Sequence, residues 1–397
     1  MSQSSKKICI LGGGFGGLYT ALRLSQLPWE NHSKPEILLI DKQDRFLFSP
    51  LLYELITEEM QSWEIAPHFT ELLAGTEIQF QQATVRGIDI HQQQIYLDSQ
   101  PEIDYDQLVI ALGGKTPLDS VAGAKDYAIP FRTLADAYRL KEKLRSLEAT
   151  NPEKIRIAVI GGGYSGVELA CKVADHLGDR GRVRLVERSN SILGYSSDFN
   201  RKTAQDALEK RSVWLDLETT IEEMGADYIC LRYKEQVDRI PVDIVLWTVG
   251  NQVSALISSL PLKQNQKGLI TTNPYLQTLE HPNIYAVGDG ADCYDISGQQ
   301  VPPTAQAAIQ ESDYCAWNIW ADLTGRPLLP FRYQSLGEML TLGVDNATVN
   351  GLGVKLDGPV AYLARRLVYL YRLPTLKHQL AVGLNWVSAP LLSFLSP

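Results

Sequence analysis

Ile8-Cys9-Ile10-Leu11-Gly12-Gly13-Gly14-Phe15-Gly16-Gly17 and Ile157-Ala158-Val159-Ile160-Gly161-Gly162-Gly163-Tyr164-Ser165-Gly166 are two writings of one device. Each opens on a short apolar run suited to a strand buried on both faces and passes through G-x-G-x-x-G. Each then continues in a helical pattern: Leu18, Ala21 and Leu22 in the first, Val167, Leu169 and Ala170 in the second. A second apolar strand follows and ends in an acid, Asp41 in one case and Glu187 in the other. The gaps from the last glycine to that acid are 24 and 21 residues. A lone glycine turn serves packing as readily as binding. Strand, turn, helix, strand and acid, in that order and twice in one chain, read as two dinucleotide-binding βαβ units.

Working outward, three more apolar strands run into glycine, at 108–114, 244–250 and 283–290, the last reaching the acid Asp289. The fold class expected is α/β with two Rossmann-like domains. The first is discontinuous, 1–115 and 275–340; the second, 116–274, is inserted into it; 341–397 is a C-terminal segment of different character. The charge-rich stretch 141–154, carrying Asn151-Pro152, predicts a helix and its exit before the insert.

The composition narrows the function. At 397 residues, 45% hydrophobic and 21% charged, the chain is long enough for two domains and apolar enough for full cores. A net charge of −9 argues against nucleic acid as a partner. No apolar run approaches the ~20 residues that span a bilayer. The N-terminus lacks a signal-peptide layout, because its apolar segment runs straight into a glycine turn. Cys9, Cys171, Cys230, Cys293 and Cys315 form no close pair, and the six histidines do not cluster with them, so no metal site is expected. A reducing compartment suits these thiols, and dithiol chemistry is disfavoured.

From Lys355 onward there are five Lys or Arg and one acid, a local +4 in an acidic protein. Apolar residues at 360, 363, 364, 367, 368 and 371 fall at helical spacing. Pro374 interrupts them, and Leu376, Leu380, Leu384, Val387 and Leu391 make a second stripe. Two readings stand: a pair of capping helices, or amphipathic helices lying in a headgroup plane with Trp386 as an interfacial ring.

The first turn suits the pyrophosphate of FAD, held non-covalently at a helix N-terminus. Gly12, Gly14, Phe15, Gly16 and Gly17 form the cradle, and Asp41 with Lys42 takes the adenosine ribose. Pro50, Val85, Ala111, Gly113, Gly288, Asp289, Ala305 and Gln306 complete the expected flavin contacts, Asp289 at the ribityl chain. The second turn, Gly161, Gly163, Tyr164, Ser165 and Gly166, suits NADH or NADPH, with Gly250 beside it. Glu187 favours the free 2′-hydroxyl of NADH, and Arg188 next to it pulls toward a phosphate. Glu168 has two readings, a helix N-terminal acid or a group that holds the nicotinamide end. With FAD, NAD(P)H and no cysteine pair, an apolar two-electron acceptor is left.

The chain resembles the type II NAD(P)H:quinone oxidoreductases over essentially its full length. The resemblance rests on GGGFGG at 12–17, Phe48-Ser49-Pro50-Leu51-Leu52-Tyr53-Glu54, Val121-Ala122-Gly123-Ala124 and Pro130-Phe131-Arg132-Thr133-Leu134-Ala135-Asp136-Ala137. It extends through GGGYSGVELA at 161–170, Tyr285-Ala286-Val287-Gly288-Asp289, and Ala305-Gln306-Ala307-Ala308-Ile309-Gln310, which matches an A-Q-x-A-x-Q quinone signature. It implies a peripheral membrane flavoenzyme that passes two electrons from NAD(P)H to a membrane quinone without pumping protons. Gln306 and Gln310 then lie at the quinone headgroup, and Glu168 orders the nicotinamide side. The chain looks nearest the cyanobacterial and plastid branch, whose acceptors include plastoquinone and demethylphylloquinone. That implies the cytoplasmic or stromal face of a thylakoid or plasma membrane, and allows a homodimer. One departure stands out: Arg365 occupies a position where the family usually has Lys, and arginine does not trade its proton. A soluble ferredoxin- or rubredoxin-type reductase and an apoptosis-factor-like flavoprotein are the rival readings.

Overall fold

The computed structural model describes residues 5–30 and 34–395, with side chains described as far as 388. The chain divides into two compact units. The first comprises 1–47, 66–115 and 251–334; the second comprises 48–65, 116–250 and 335–397.

The first unit is built on five parallel strands in the order Ile284–Ala286, Gln107–Ile110, Lys7–Leu11, Glu36–Asp41, Ile78–Gln82. The central strand is apolar at every position from Ile8 to Leu11 because both of its faces are covered. The Phe15–Gln26 helix crosses back over the sheet, and the long Ala305–Thr324 helix packs against it. Thr304 caps the latter, its hydroxyl accepting from the Ala307 amide at 3.2 Å. On the other face Leu11, Ile40, Leu108 and Ile110 pack with Val253, Ile257, Leu262 and Ile270. That packing is why 251–274 belong with this unit rather than with the insert.

The second unit repeats the plan: five parallel strands in the order Trp214–Asp216, Gly181–Val186, Ile155–Ile160, Ile244–Trp247, Ala128–Pro130. The helix before the glycine turn runs Leu134–Ala149, opened by a capping box between Thr133 and Asp136, and so begins seven residues earlier than its charge-rich half suggests. The second glycine helix is Tyr164–Leu177.

The C-terminal segment is not helical throughout. Glu338–Thr341, Ala347–Gly351 and Val354–Asp357 form an antiparallel sheet, the last two joined at Leu352 and Gly353, both at positive φ. The Gly358–Arg372 helix packs Ala361 and Tyr362 on Ala347 of this sheet, and Leu376–Leu395 follows. Val360, Leu363, Leu367, Val368 and Tyr371, and then Leu376, Leu380, Leu384 and Val387, are all exposed. The side chain of Leu391 lies outside the described residues. Trp386 is half-buried, its Nε1 donating to Glu64 Oε1 at 2.8 Å and its face lying 4.2 Å from the Arg366 guanidinium. No helix among the described residues is long and apolar enough to cross a membrane.

Candidate functional site

The two glycine turns repeat each other at atomic detail. Gly12 and Gly161 sit at φ +98° and +108°. A Cβ on Gly17 or Gly166 would fall 1.8 Å from the carbonyl oxygen of Gly12 or Gly161, so neither position admits a side chain. Around Gly14 and Gly163 the opposite holds: no atom lies within 4 Å of where a Cβ would sit, leaving room for a phosphate beside each helix N-terminus.

The strand-end acids also repeat. Asp41 Oδ2 accepts from the Gly13 amide at 2.6 Å and Oδ1 from the Gln43 amide at 2.7 Å. Glu187 Oε2 accepts from Gly162 at 2.7 Å and Oε1 from Ser189 at 2.8 Å. Their electrostatics diverge. Burial raises the pKa of Asp41 against those amides and Lys42. At Glu187 burial pushes the same way, but the Gly162 and Ser189 amides and Arg188 outweigh it, and the net shift is downward. Lys42 and Arg188 are both exposed beside their acids. Lys42 also borders a cleft lined by Gln82, Thr84, Asp98 and Gln100, and the half-buried Val85 directly follows Thr84 in the chain.

These features fit a dinucleotide in the first unit, and the rest of the expected flavin set lies there with one exception. Ala111 and Gly113 follow their strand, half-buried, while Phe15 packs edge-on against Phe46 at 5.2 Å. Gly288 takes φ +71°, and Asp289 Oδ2 accepts from Asn251 Nδ2 at 3.1 Å. Gly16 is buried with Val287 against it, and Ala305 opens its helix. Pro50 is the exception: it belongs to the second unit, where its carbonyl accepts from Arg365 Nη2 at 2.7 Å.

Gln306 and Gln310 are one helical turn apart on one helix face. Gln306 Oε1 accepts from the Tyr333 hydroxyl at 3.2 Å. Gln310 is pinned at both ends, Nε2 donating to the Gln334 carbonyl at 2.9 Å and Oε1 accepting from its amide at 3.0 Å. The next residue, Glu311, was not singled out from the sequence. Its Oε2 accepts from the Gly288 amide at 2.6 Å, and burial pushes its pKa up to about 7.

In the second unit Tyr164 is partly exposed, its hydroxyl engaged by Ser196 and Glu338. Ser165 Oγ lies 2.8 Å from the Tyr53 hydroxyl, and Gly250 turns at φ +85° against Pro117. Glu168 and Arg365 come together with residues that sequence reading gave no role. Glu168 is buried, accepts from the Thr341 amide at 2.9 Å, and lies 3.6 Å from Arg365 Nη2. Arg365, wholly buried, donates Nη1 to Glu54 Oε1 at 2.5 Å. Lys172, one turn beyond Glu168, is equally inaccessible and pairs with Glu59, which also accepts from the Tyr362 hydroxyl at 2.8 Å. The spacing of Glu168 and Lys172 was the one available signal. Glu54 and Glu59 are joined to this cluster only by the fold.

Thiol chemistry finds no support. All five cysteines are free and buried, and burial raises their thiol pKa values, those of Cys9 and Cys171 to about 12. Among the described residues no group of His, Cys, Asp and Glu is placed to hold a metal.

A model of the pyridine nucleotide-disulphide oxidoreductases matches residues 6–312. A demethylphylloquinone reductase from Synechocystis sp. is 60% identical over 98% of both chains. An alternative NAD(P)H-ubiquinone oxidoreductase of Arabidopsis thaliana, chloroplastic and mitochondrial, is 43% identical over 96% of this chain and 80% of its own length. The chain belongs to the type II NAD(P)H:quinone oxidoreductases. Within that family the fold is retained at low identity: the Plasmodium falciparum NDH2 solved with NADH superposes at a TM-score of 0.87 with 18% identity, over 98% of each chain. A type II reductase with buried, unpaired thiols has the glycine turns of a disulphide reductase without its dithiol.

Proposed function

We propose that the chain transfers two electrons from NAD(P)H through FAD to a membrane quinone of the demethylphylloquinone or plastoquinone kind, at a membrane surface and without proton pumping. The observation that carries this is the 60% identity over nearly the whole of a demethylphylloquinone reductase, in a chain whose two dinucleotide turns are both intact. Bound in the first unit, FAD supplies the flavin ring that takes a hydride and passes on two electrons.

The chain's own residues then have separable tasks. The Gly14 and Gly163 turns hold the two pyrophosphates, and Asp41 and Glu187 set the ribose ends. Gln306 and Gln310 orient the quinone headgroup, Gln310 with its amide already fixed by Gln334. Quinone reduction consumes two electrons and two protons, whereas NAD(P)H brings one hydride. One proton therefore comes from elsewhere, and the buried carboxyl of Glu168, pushed up to about 7 by burial, is charged and uncharged in comparable amounts near neutrality.

Nine large apolar side chains exposed among the described residues of the two C-terminal helices, with a local +3 once the buried Arg365 is set aside, support attachment to the cytoplasmic or stromal face of a thylakoid or plasma membrane. Against an anionic surface that charge contributes ~3 kcal/mol before screening. The test pairs vesicle flotation with NADH and NADPH turnover on short- and long-tailed naphtho- and benzoquinones. The intact chain is expected to float and to reduce both kinds. A chain ending before Leu376 should stay in solution and lose long-tailed substrates far more than short ones. Absence of quinone turnover overturns the enzyme reading, and an intact chain that never floats overturns the surface reading.

A further inference from the structure

The second unit buries two carboxyls around one guanidinium. Glu54 is 1% exposed, Arg365 0% and Glu168 7%. The neighbouring Lys172 and Glu59 neutralise each other, so the remaining three groups carry one negative charge too many for a dry interior if all are ionised. Two carboxylates competing for one cation resolve this by holding a proton on one of them.

The geometry decides which. An arginine fork needs acceptors in its own plane, and Arg365 has two: Glu54 Oε1 at 2.5 Å and the Pro50 carbonyl at 2.7 Å. Both come from the stretch 48–56, where Ser49–Leu55 forms a short 3₁₀ helix that brings the Pro50 carbonyl and the Glu54 side chain to one guanidinium. Glu168 is left at 3.6 Å from Nη2, beyond hydrogen-bond reach, with the Thr341 amide as its donor. We propose that Glu54 is a positioning residue for quinone reduction, holding Arg365 away from Glu168 so that Glu168 keeps an exchangeable proton inside the protein. This rests on the quinone-reductase reading and adds to it the residue that fixes the charge balance of the Glu168–Arg365 pair.

The other groups facing Glu168 leave this assignment standing. Lys172, on its own helix, is committed to Glu59, which the Tyr362 hydroxyl also supports. Tyr53, Tyr164, Tyr369 and Cys171 are the remaining titratable neighbours, and each is shifted upward, chiefly by burial, so all four are neutral near pH 7. The pKa of Glu168, about 7, reflects burial first, opposed by Arg365 and the Thr341 amide and reinforced by the charge of Glu54. Taking away the Glu54 charge removes that reinforcement and frees the guanidinium to close on Glu168. Both changes act in the same direction, downward.

The experiment is an infrared titration of the protonated-carboxyl band in the FAD-loaded protein, the Glu168 signal being identified by its loss in Glu168→Gln. In Glu54→Gln the band should disappear at a pH lower by about 1–3 units than in the wild type, the range an opposite charge at contact imposes on a carboxyl. Glu54→Asp keeps the charge but withdraws it by one methylene, and should shift the band downward by less. That milder variant decides the matter if Glu54→Gln does not accumulate. The ionisation seen in the pH profile of kcat/KM for a short-chain quinone should move in parallel. A Glu168 band titrating alike in the wild type and the Glu54 variants overturns the proposal, even in a protein that reduces quinones normally. A wild type inactive with every quinone overturns the underlying reading instead, and the band titration separates the two failures.

Discussion

The two glycine helices start alike and end differently. Offset by 149 positions, Phe15 corresponds to Tyr164, Tyr19 to Glu168, Leu22 to Cys171 and Arg23 to Lys172. In the first unit Tyr19 joins Phe15 and Phe46 in an aromatic group, and Arg23 reaches outward to Asp313 with 56% of its side chain exposed. In the second, both equivalent positions carry charge into the interior. A phosphate dictates the turn, since only backbone amides and bare glycine fit it, and so the turn repeats. Nothing dictates the helix beyond its first turn. That stretch is free to serve its own unit, as apolar packing in one and as a buried charge network in the other.

The sharpest way to break this contrast is to remove the two equivalent cations. Lys172→Met strands Glu59, only 10% exposed, without its partner, at a cost of about 3–5 kcal/mol. Arg23→Met loses a surface pair and costs about 0–1 kcal/mol. Denaturant midpoints of the FAD-loaded proteins measure both. Equal losses would mean that the Lys172–Glu59 pair does not anchor its unit.

A smaller effect tests the one similarity that the helix pattern hides: each unit buries a carboxyl pushed up to about 7, Glu168 in the second and Glu311 in the first. For Glu311 the folded pKa stands above the ordinary 4.5, so the folded chain holds a proton that the unfolded chain releases. Its contribution therefore falls as pH rises from about 4.5 to about 7 and is level above that. Glu311→Gln, whose amide oxygen can still accept from Gly288, should be stabilising by roughly 1–3 kcal/mol at pH 8 and close to neutral at pH 4. Thermal unfolding at the two pH values checks the sign, and destabilisation at pH 8 would show that the ionised carboxylate is what the Gly288 turn requires.

What the sequence made legible follows from the same distinction. Strand, turn, helix and acid are local, and Gly12 to Asp41 and Gly161 to Glu187 could be read without a structure because such a turn is written in glycines at fixed spacing. The charge network could not. Glu54 and Arg365 lie 311 residues apart, and nothing in Pro50-Leu51-Leu52-Tyr53-Glu54 says that its carbonyl and carboxylate converge on one guanidinium. The same contacts draw 48–65 into the second unit, which a linear division of the chain does not anticipate. The sheet over 338–357 was hidden for another reason. Its strands are short and half-exposed, and their turn at Leu352-Gly353 depends on left-handed backbone at a residue that does not advertise it. The amphipathic stripes after it were plain, but the orientation of Trp386 was not, because its partner Glu64 comes from far along the chain.

The finest test of the paired turns concerns their acids, which share a hydrogen-bond pattern yet shift in opposite directions. Glu187 remains charged at neutral pH, with both oxygens accepting backbone amides at the edge of the second turn. With the nicotinamide coenzyme in the second turn, as proposed, a 2′-phosphate would meet a fixed negative charge there, whereas a 2′-hydroxyl would meet an acceptor. Glu187→Gln keeps the side-chain length, surrenders the charge, and leaves the exposed Arg188 as the nearest full charge to a phosphate. The ratio of kcat/KM for NADPH to that for NADH should rise about tenfold, equivalent to roughly 1.4 kcal/mol in transition-state binding. Asp41→Asn, the same change in the other turn, should leave that ratio alone and act on FAD retention instead. A ratio that responds to Asp41→Asn and not to Glu187→Gln would exchange the two turns' cofactors, and with them the assignment of the units.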